Sequence, residues 1–111
     1  MSQTVQLQWR DRADNETLFK IYKSASSNLT TTDTLVATIE WDGASWGIVP
    51  ENVNISNTSI LSSNSGPSTQ DEIFRIQFTE AETGEFYYGV ASGNEIGMSD
   101  VVPSNTSLLV S

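Results

Sequence analysis

Short runs in which apolar and polar residues alternate recur along the chain, with pairs of turn residues between them. In the first run the apolar residues Val5, Leu7 and Trp9 occupy alternate positions, as in a strand with one buried face. Turn residues return every 8–12 positions, and no segment has a helical period. This pattern predicts an all-β fold, an antiparallel β-sandwich, rather than a helical or mixed protein.

The inward-facing positions of the predicted strands indicate a single hydrophobic core. It comprises Trp9, Phe19, Ile21, Phe74, Ile76, Phe78, Tyr88 and Val90. In the second strand the alternation places Lys20 and Tyr22 on the outward face. A chain of 111 residues is long enough for one such core and too short for two, so we expect a single domain over residues 1–111.

The pair Asp42-Gly43 predicts a β-hairpin over residues 36–49, because a type I′ turn needs positive φ at both central residues. With a two-residue loop, Trp41 pairs with Ala44, and Ile39 pairs with Trp46. The face that this register makes apolar comprises Leu35, Ala37, Ile39, Trp41, Ala44, Trp46 and Ile48.

Residues 50–72 are rich in Ser, Asn, Pro and Gly and have the weakest pattern. One short strand is indicated around Val53, Ile55 and Ile60, and the rest is predicted to be a long loop. Long loops in compact domains are functional or mobile. We expect this segment to contact a partner, so deletion of residues 52–68 should leave the isolated domain folded but abolish its assembly.

The net charge of −9 excludes some classes of partner. Nucleic-acid binding needs a basic stripe, which five Lys and Arg cannot supply, and anionic membranes repel an acidic protein. No apolar run approaches the roughly 20 residues of a membrane span. The N-terminal stretch lacks the features of a signal peptide, so we expect synthesis in a cytoplasm without export.

The chain has no His and no Cys, which removes the most common general base, the thiol nucleophile and most ligands of transition metals. We therefore expect no enzyme activity and no cofactor. A calcium site is conceivable at one acidic loop, which contains Asp11, Asp14 and Glu16. A solvated loop paired with neighbouring arginines is the favoured interpretation, and we extend it to Glu80, Glu82 and Glu85.

Three stretches resemble a fibronectin type III (immunoglobulin-like) domain of the kind found in bacterial and bacteriophage proteins. They are "VQLQWRD…NETLFKIYKS", "FYYGVASGNEIGMS" and "PSN", and the resemblance covers residues 5–40 and 73–111. It implies that they form strands B and C, strand F, and the entry to strand G. The positions that match the strand F motif are Tyr88, Val90, Asn94, Gly97 and Ser99. The resemblance also implies that the Tyr88 hydroxyl bonds backbone at the corner between strands E and F.

The chain departs from the family in two ways. There is no room for strand A before Val5, and residues 41–72 exceed the usual connection between strands C′ and E. We therefore expect a missing or truncated strand A and an inserted hairpin and loop. Strand B would then expose an open edge, to be completed by a strand from a neighbouring subunit or from this chain's own insertion.

The interpretation favoured by these features is a structural protein of a bacteriophage virion. It would decorate the capsid, or belong to the tail or baseplate, and would contact other capsid or tail subunits. We expect a homo-oligomer or multiple copies per particle. The expected contact residues are Val5, Gln6, Leu7, Gln8, Trp41, Trp46, Val53, Ile55 and Ile60. The alternative is a carbohydrate- or cell-surface-binding module, in which Trp41, Trp46 and Tyr87 form a platform for sugar rings.

Overall fold

The structure is a computed structural model, and the residues that it describes form nine β-strands and no helix. The described residues are 2–11, 17–30, 32–63, 72–93, 102–103 and 108–110. The strands are β1 (Gln3–Asp11), β2 (Leu18–Ser24), β3 (Thr34–Trp41), β4 (Trp46–Pro50), β5 (Ile55–Ser62), β6 (Glu72–Glu80), β7 (Gly84–Gly93), β8 (Val102–Pro103) and β9 (Leu108–Val110).

The strands form two antiparallel sheets. The smaller sheet has the order β1-β6-β5, and the larger sheet has the order β4-β3-β2-β7-β8. The final strand, β9, pairs with the first residues of β7, whereas β8 pairs with the middle of β7. The predicted all-β class is confirmed, and the arrangement of the two sheets is consistent with a β-sandwich.

One main cluster of buried apolar side chains joins the two sheets. It contains Phe19, Ile21, Phe74, Ile76, Phe78 and Tyr88, while Trp9 and Val90 are partly buried against it. The rings of Phe19 and Phe74 lie 4.7 Å apart, and Trp9 is stacked on Phe74 at 5.3 Å. Aromatic contacts between strands of opposite sheets therefore hold one end of the core together.

A bulge in β3 breaks the predicted alternation of that strand. Ile21 pairs with Ala37 but the next residue, Tyr22, pairs with Leu35, so Val36 is an extra, unpaired residue in β3. Val36 and Ala37 both join the main core as a result. Leu35 instead packs on the other side of the sheet, and the prediction that it shares a face with Ala37 is wrong.

The β3–β4 hairpin forms at Asp42-Gly43, as predicted, but with a different register. Trp41 pairs with Trp46, and Ile39 pairs with Ile48, so the loop has four residues rather than two. The cause is the Asp42 side chain, which accepts hydrogen bonds from the backbone N–H groups of Ala44 and Ser45, each at 2.8 Å. An aspartate that closes the turn in this way stabilises the longer loop.

The segment predicted to be mostly loop contains a full strand. β5 covers eight residues and pairs with β6 at the side away from β1. Ile55, which we expected to contact a partner, is only 5% exposed and belongs to the core. Residues 52–68 therefore include a paired strand of the smaller sheet, which argues against the expectation that their deletion leaves the domain folded.

A second, smaller cluster covers the outer face of the larger sheet. Tyr22, Leu29 and Ala91 are buried there, with Leu35 and Tyr87 packed against them. Tyr22 therefore lies on the outward face, as predicted, but its side chain is buried there rather than exposed to solvent. Leu29, in the connection between β2 and β3, packs on this face in the same cluster as Tyr22.

The end of the chain follows β7. β8 pairs with Gly89 and Val90 of β7, and β9 pairs with residues 84–86 of the same strand. The predicted last strand at Leu108 and Val110 is confirmed as β9. The motif positions Asn94, Gly97 and Ser99, and residues 104–105, lie outside the described residues.

Candidate interaction surface

The side of β1 that faces away from β6, here called the β1 edge, is the longest regular strand edge among the described residues. β1 pairs with β6 over nine consecutive residues, from Gln3 to Asp11, without a register shift. Among the described strands, β6 alone pairs with β1. In an antiparallel ladder alternate residues point their N–H and C=O groups away from the neighbouring strand. The β1 edge therefore presents a row of backbone donors and acceptors.

The other sheet edges at β5 and β4 differ from β1. The register between β5 and β6 shifts twice, and Asn57 in β5 has a positive φ of 53°. β4 has only five residues and ends at Pro50. Bulges, short length and proline are the devices by which proteins make edge strands unsuitable for pairing. β1 has none of these devices.

The outward face of the smaller sheet carries polar side chains that bond to one another across strands. Gln6 Nε2 donates to Oε1 of Gln77 at 2.9 Å. Arg75 donates to Oε1 of Gln8 through Nε at 3.2 Å and through Nη2 at 2.8 Å. The outward-facing positions are Thr4, Gln6 and Gln8 of β1 and Ile73, Arg75, Gln77 and Thr79 of β6. None of these described positions carries a carboxylate, although the chain has 14 acidic residues and a net charge of −9.

The structure divides the β1 residues that we expected to bind a partner. Gln6 and Gln8 are exposed on the outward face. Val5 is 3% exposed, and Leu7 packs against the core, so both side chains point inward. Val5 and Leu7 therefore offer a partner mainly their backbone groups.

The other expected contact residues are dispersed. Val53 is fully exposed, in the turn that leads from β4 to β5. Ile60 of β5 is partly buried against the core. The rings of Trp41 and Trp46 meet edge-on at 5.4 Å, and Trp46 also lies 5.2 Å from Phe74. The tryptophan pair thus extends the core at the hairpin and leaves only part of its surface to solvent.

The three residues of the expected sugar platform lie on opposite faces of the larger sheet. Trp46 packs against the main core, on the inward face, and its cross-strand partner Trp41 shares that side. Tyr87 packs in the outer cluster with Tyr22. A single sugar ring cannot stack on both faces of a sheet, so this set of residues does not form one platform.

A buried ionic cluster was missed by the sequence interpretation. Lys23 Nζ lies 2.8 Å from Glu80 Oε1 and 2.7 Å from Glu82 Oε1. The side chain of Lys23 is 2% exposed and that of Glu80 is fully buried, whereas the Glu82 side chain is 46% exposed. The solvated-loop interpretation is therefore wrong for Glu80.

Two aromatic side chains complete this cluster. The Tyr88 hydroxyl donates to Oε1 of Glu80 at 3.0 Å, and the Lys23 ammonium lies 4.7 Å from the centre of the Phe86 ring. Burial raises the pKa of Tyr88 far above its usual range, and the Glu80 charge adds to the rise. Glu80 is the last residue of β6, so this hydrogen bond lies near the β6–β7 turn, but its acceptor is a side-chain carboxylate, whereas the resemblance implied a backbone group.

The alternation pattern contained the signal for this cluster. Lys23 follows Phe19 and Ile21 at two-residue steps, and Glu80 similarly follows Phe78 in β6. Continuing each strand by one step places a cation and an anion at the same end of the core. The ammonium is held by two carboxylates, so the arrangement is suited to joining β2 to the β6–β7 turn.

The described residues contain no group of three or more acidic residues placed to hold a metal ion. Asp14 and Glu16 of the conceivable calcium loop lie outside the part of the chain that the structure describes. No helix able to cross a membrane is present in the described ranges. Comparisons with protein-family models, curated proteins and solved structures find no match.

Proposed function

We propose that this chain is a non-enzymatic structural protein of a bacteriophage virion, which acts through protein–protein contacts at the β1 edge. Its location would be the particle, as a capsid decoration or a tail or baseplate component, after synthesis in the host cytoplasm. The observation that carries the proposal is the nine-residue β1 edge, which has no bulge and no proline. An edge of this kind is a template for another strand.

We also infer an immunoglobulin-like arrangement of the strands, within the fibronectin type III resemblance. In immunoglobulin domains one sheet has the order A-B-E-D, and variable-type domains add C′ and C″ to the sheet of C, F and G. Equating β1 with strand B makes β6 strand E and β5 strand D. The larger sheet then corresponds to C″-C′-C-F-G. Residues 41–72 would supply strands C″ and D instead of an insertion.

No described strand corresponds to strand A, which in that order lies beside strand B. The place of strand A is the β1 edge. A strand supplied by a neighbouring molecule would complete the sheet there. This inference accounts for an edge that is long and regular and has neither a bulge nor a proline.

The outward face beside the edge suits contact between proteins of an assembly. Amide and guanidinium groups there already bond across strands, so they need little rearrangement to accept a partner. The absence of carboxylates from its described positions removes repulsion against other acidic subunits at this face. The alternative of sugar binding on Trp41, Trp46 and Tyr87 is not favoured by any contact, because the three side chains do not share a surface.

The location is tested by mass spectrometry of particles purified on a density gradient from the source of the sequence. We expect the chain in a fixed, multiple copy number relative to the major capsid or tail subunit. Its absence from washed particles would contradict the proposal. A glycan array with the purified protein tests the alternative of sugar binding. Binding to a glycan that is lost in the Trp41→Ala variant would support that alternative.

A further inference from the structure

The β1 edge has features that favour one particular occupant. We propose that it binds a second copy of this chain, with β1 paired antiparallel to β1 across a two-fold axis and Leu7 opposite Leu7. The proposal deepens the proposed function, since it rests on the same edge and names the partner. A continuous sheet of six strands, β5-β6-β1 followed by the same strands of the second copy in reverse, would result.

The distribution of charge supports a second copy at this edge. Two copies that each carry a net charge of −9 repel one another. Residues 3–9 of β1 contain no ionisable side chain, and none of the described outward-facing positions of β1 and β6 carries a carboxylate. The edge is therefore a place where two copies can approach with little local repulsion. Beyond about 8–10 Å, salt screens the remaining charge.

The alternation of side chains limits the register of the pair. Residues directly opposite in a β-ladder point to the same face, so inward residues must oppose inward residues. For two identical antiparallel strands this requires the numbers of opposed residues to have an even sum. Placing Leu7 on the two-fold axis uses the whole strand, because Leu7 is the middle of Gln3–Asp11.

The side chains brought together in this register are compatible. Gln6 of one copy lies opposite Gln8 of the other, which extends the amide contacts that Gln6 and Gln8 already make with β6. Residues 5–9 of one copy lie opposite residues 9–5 of the other, and none of them is ionisable, so no like charges face each other along this part of the pair. On the inward face, Leu7 meets Leu7 and gains cover for the part of its side chain that the core leaves exposed.

A charge exchange at the outward face tests the pairing without disturbing the core. The unmodified protein is expected to have twice its 12.1 kDa mass in light scattering. The variant with Gln6→Lys and Gln8→Lys places lysine opposite lysine twice, and the dimer dissociation constant should rise at least about tenfold. The matched variant with Gln6→Lys and Gln8→Glu places lysine opposite glutamate, and it should remain dimeric. Near-ultraviolet circular dichroism checks that both variants are folded.

Cysteine cross-linking tests the register, because the chain has no cysteine of its own. An oxidised mixture of the Gln6→Cys and Gln8→Cys variants should give a disulfide-linked dimer. Each variant alone, and Gln77→Cys on the neighbouring strand, should stay largely uncrosslinked. Efficient cross-linking of Gln6→Cys with itself would overturn the register with Leu7 on the axis.

Other outcomes overturn the dimer as a whole. A monomeric mass at the highest soluble concentration would do so, as would a dimer that survives the double lysine variant. Neither result contradicts the proposed location in the virion, because the proposed function also allows a strand from a different virion protein at the β1 edge. If the purified protein is a monomer but is recovered in washed particles, the dimer proposal fails and the proposed function stands.

Discussion

Lys23 Nζ lies 2.8 Å from Oε1 of Glu80, and both side chains are buried, at 2% and 0% exposure. Lys23 belongs to β2 of the larger sheet, and Glu80 ends β6 of the smaller sheet. Their contact therefore joins the two sheets at one end of the core. Moving two charges out of water is costly, and the pair is stable only because each partner, with Tyr88, satisfies the other.

Removing one partner of this pair should be strongly destabilising. Lys23→Met leaves the Glu80 carboxylate buried without its cation, and Glu80→Gln leaves the ammonium with Glu82 alone. We expect each change to lower the free energy of unfolding by about 3–5 kcal/mol. The double variant should cost clearly less than the sum, because it leaves no uncompensated charge. Urea denaturation of the four proteins measures the coupling.

Glu82→Gln is the matched control for this cycle. The Glu82 carboxylate also contacts Lys23, at 2.7 Å, but its side chain is 46% exposed. Water screens such a pair, so we expect a loss below about 1 kcal/mol. Equal losses for Glu80→Gln and Glu82→Gln would show that burial does not set the cost.

Strand alternation made most of the inward-facing positions predictable. Phe19 and Ile21 were placed inward from the sequence, and both lie in the main core. The same rule, continued by one step, places Lys23 inward. A charged residue is rarely buried without a partner, however, and the partner of Lys23 lies 57 residues further along the chain, so strand alternation alone does not predict its burial.

Features set by local backbone geometry or by distant pairing were less predictable. The pair Asp42-Gly43 fits a two-residue loop. The hydrogen bonds that the Asp42 side chain accepts from the backbone stabilise the four-residue loop instead. The polar composition of β5 is typical of a loop, yet pairing with β6 makes it a strand. The β1 edge was predicted from the short stretch before Val5, but the absence of bulges in it is visible only in the register with β6.

The stability of the protein should fall in alkaline solution because of Tyr88. Burial and the neighbouring Glu80 charge raise the pKa of this phenol in the folded state above the unfolded value of about 10. The contribution of the neutral phenol is then fully present below pH about 10 and is lost as the pH rises above that value. Urea denaturation between neutral and strongly alkaline pH measures the slope. Tyr88→Phe should be less stable at neutral pH and should show a shallower alkaline loss; an unchanged slope would contradict the assignment to Tyr88.

Gly84 at the start of β7 should not tolerate a side chain. Its φ is +146°, and a Cβ atom there would lie 3.0 Å from Cζ of Phe86. Gly84→Ala should therefore lower the free energy of unfolding by more than about 1 kcal/mol. Gly47→Ala is the control, since no heavy atom lies within 4 Å of a Cβ at that site, and its effect should stay within about 0.5 kcal/mol. Thermal melts of the two variants make the comparison, and equal melting temperatures would rule out the strain at Gly84.

Trp9 tests whether β1 is packed in the register described. Its indole ring is stacked on Phe74 with an interplanar angle of 2° and lies 5.4 Å from Phe19. Trp9→Ala removes both contacts and should cost about 3–5 kcal/mol in the free energy of unfolding. A measured loss below about 1 kcal/mol would mean that the ring is not part of the core and that the register of β1 is wrong.

Trp9→Phe separates the ring contacts from the polar group of the indole. Within the described residues, the buried Trp9 Nε1 has no hydrogen-bond partner. Replacing the indole by phenyl keeps an aromatic ring next to Phe74 and removes this unsatisfied N–H group, which offsets part of the lost contact area. We therefore expect a cost below about 1.5 kcal/mol in urea denaturation, well under that of Trp9→Ala. Equal costs for the two substitutions would indicate that the indole nitrogen has a partner in solution and that the N–H group, more than the ring stack, holds β1 in place.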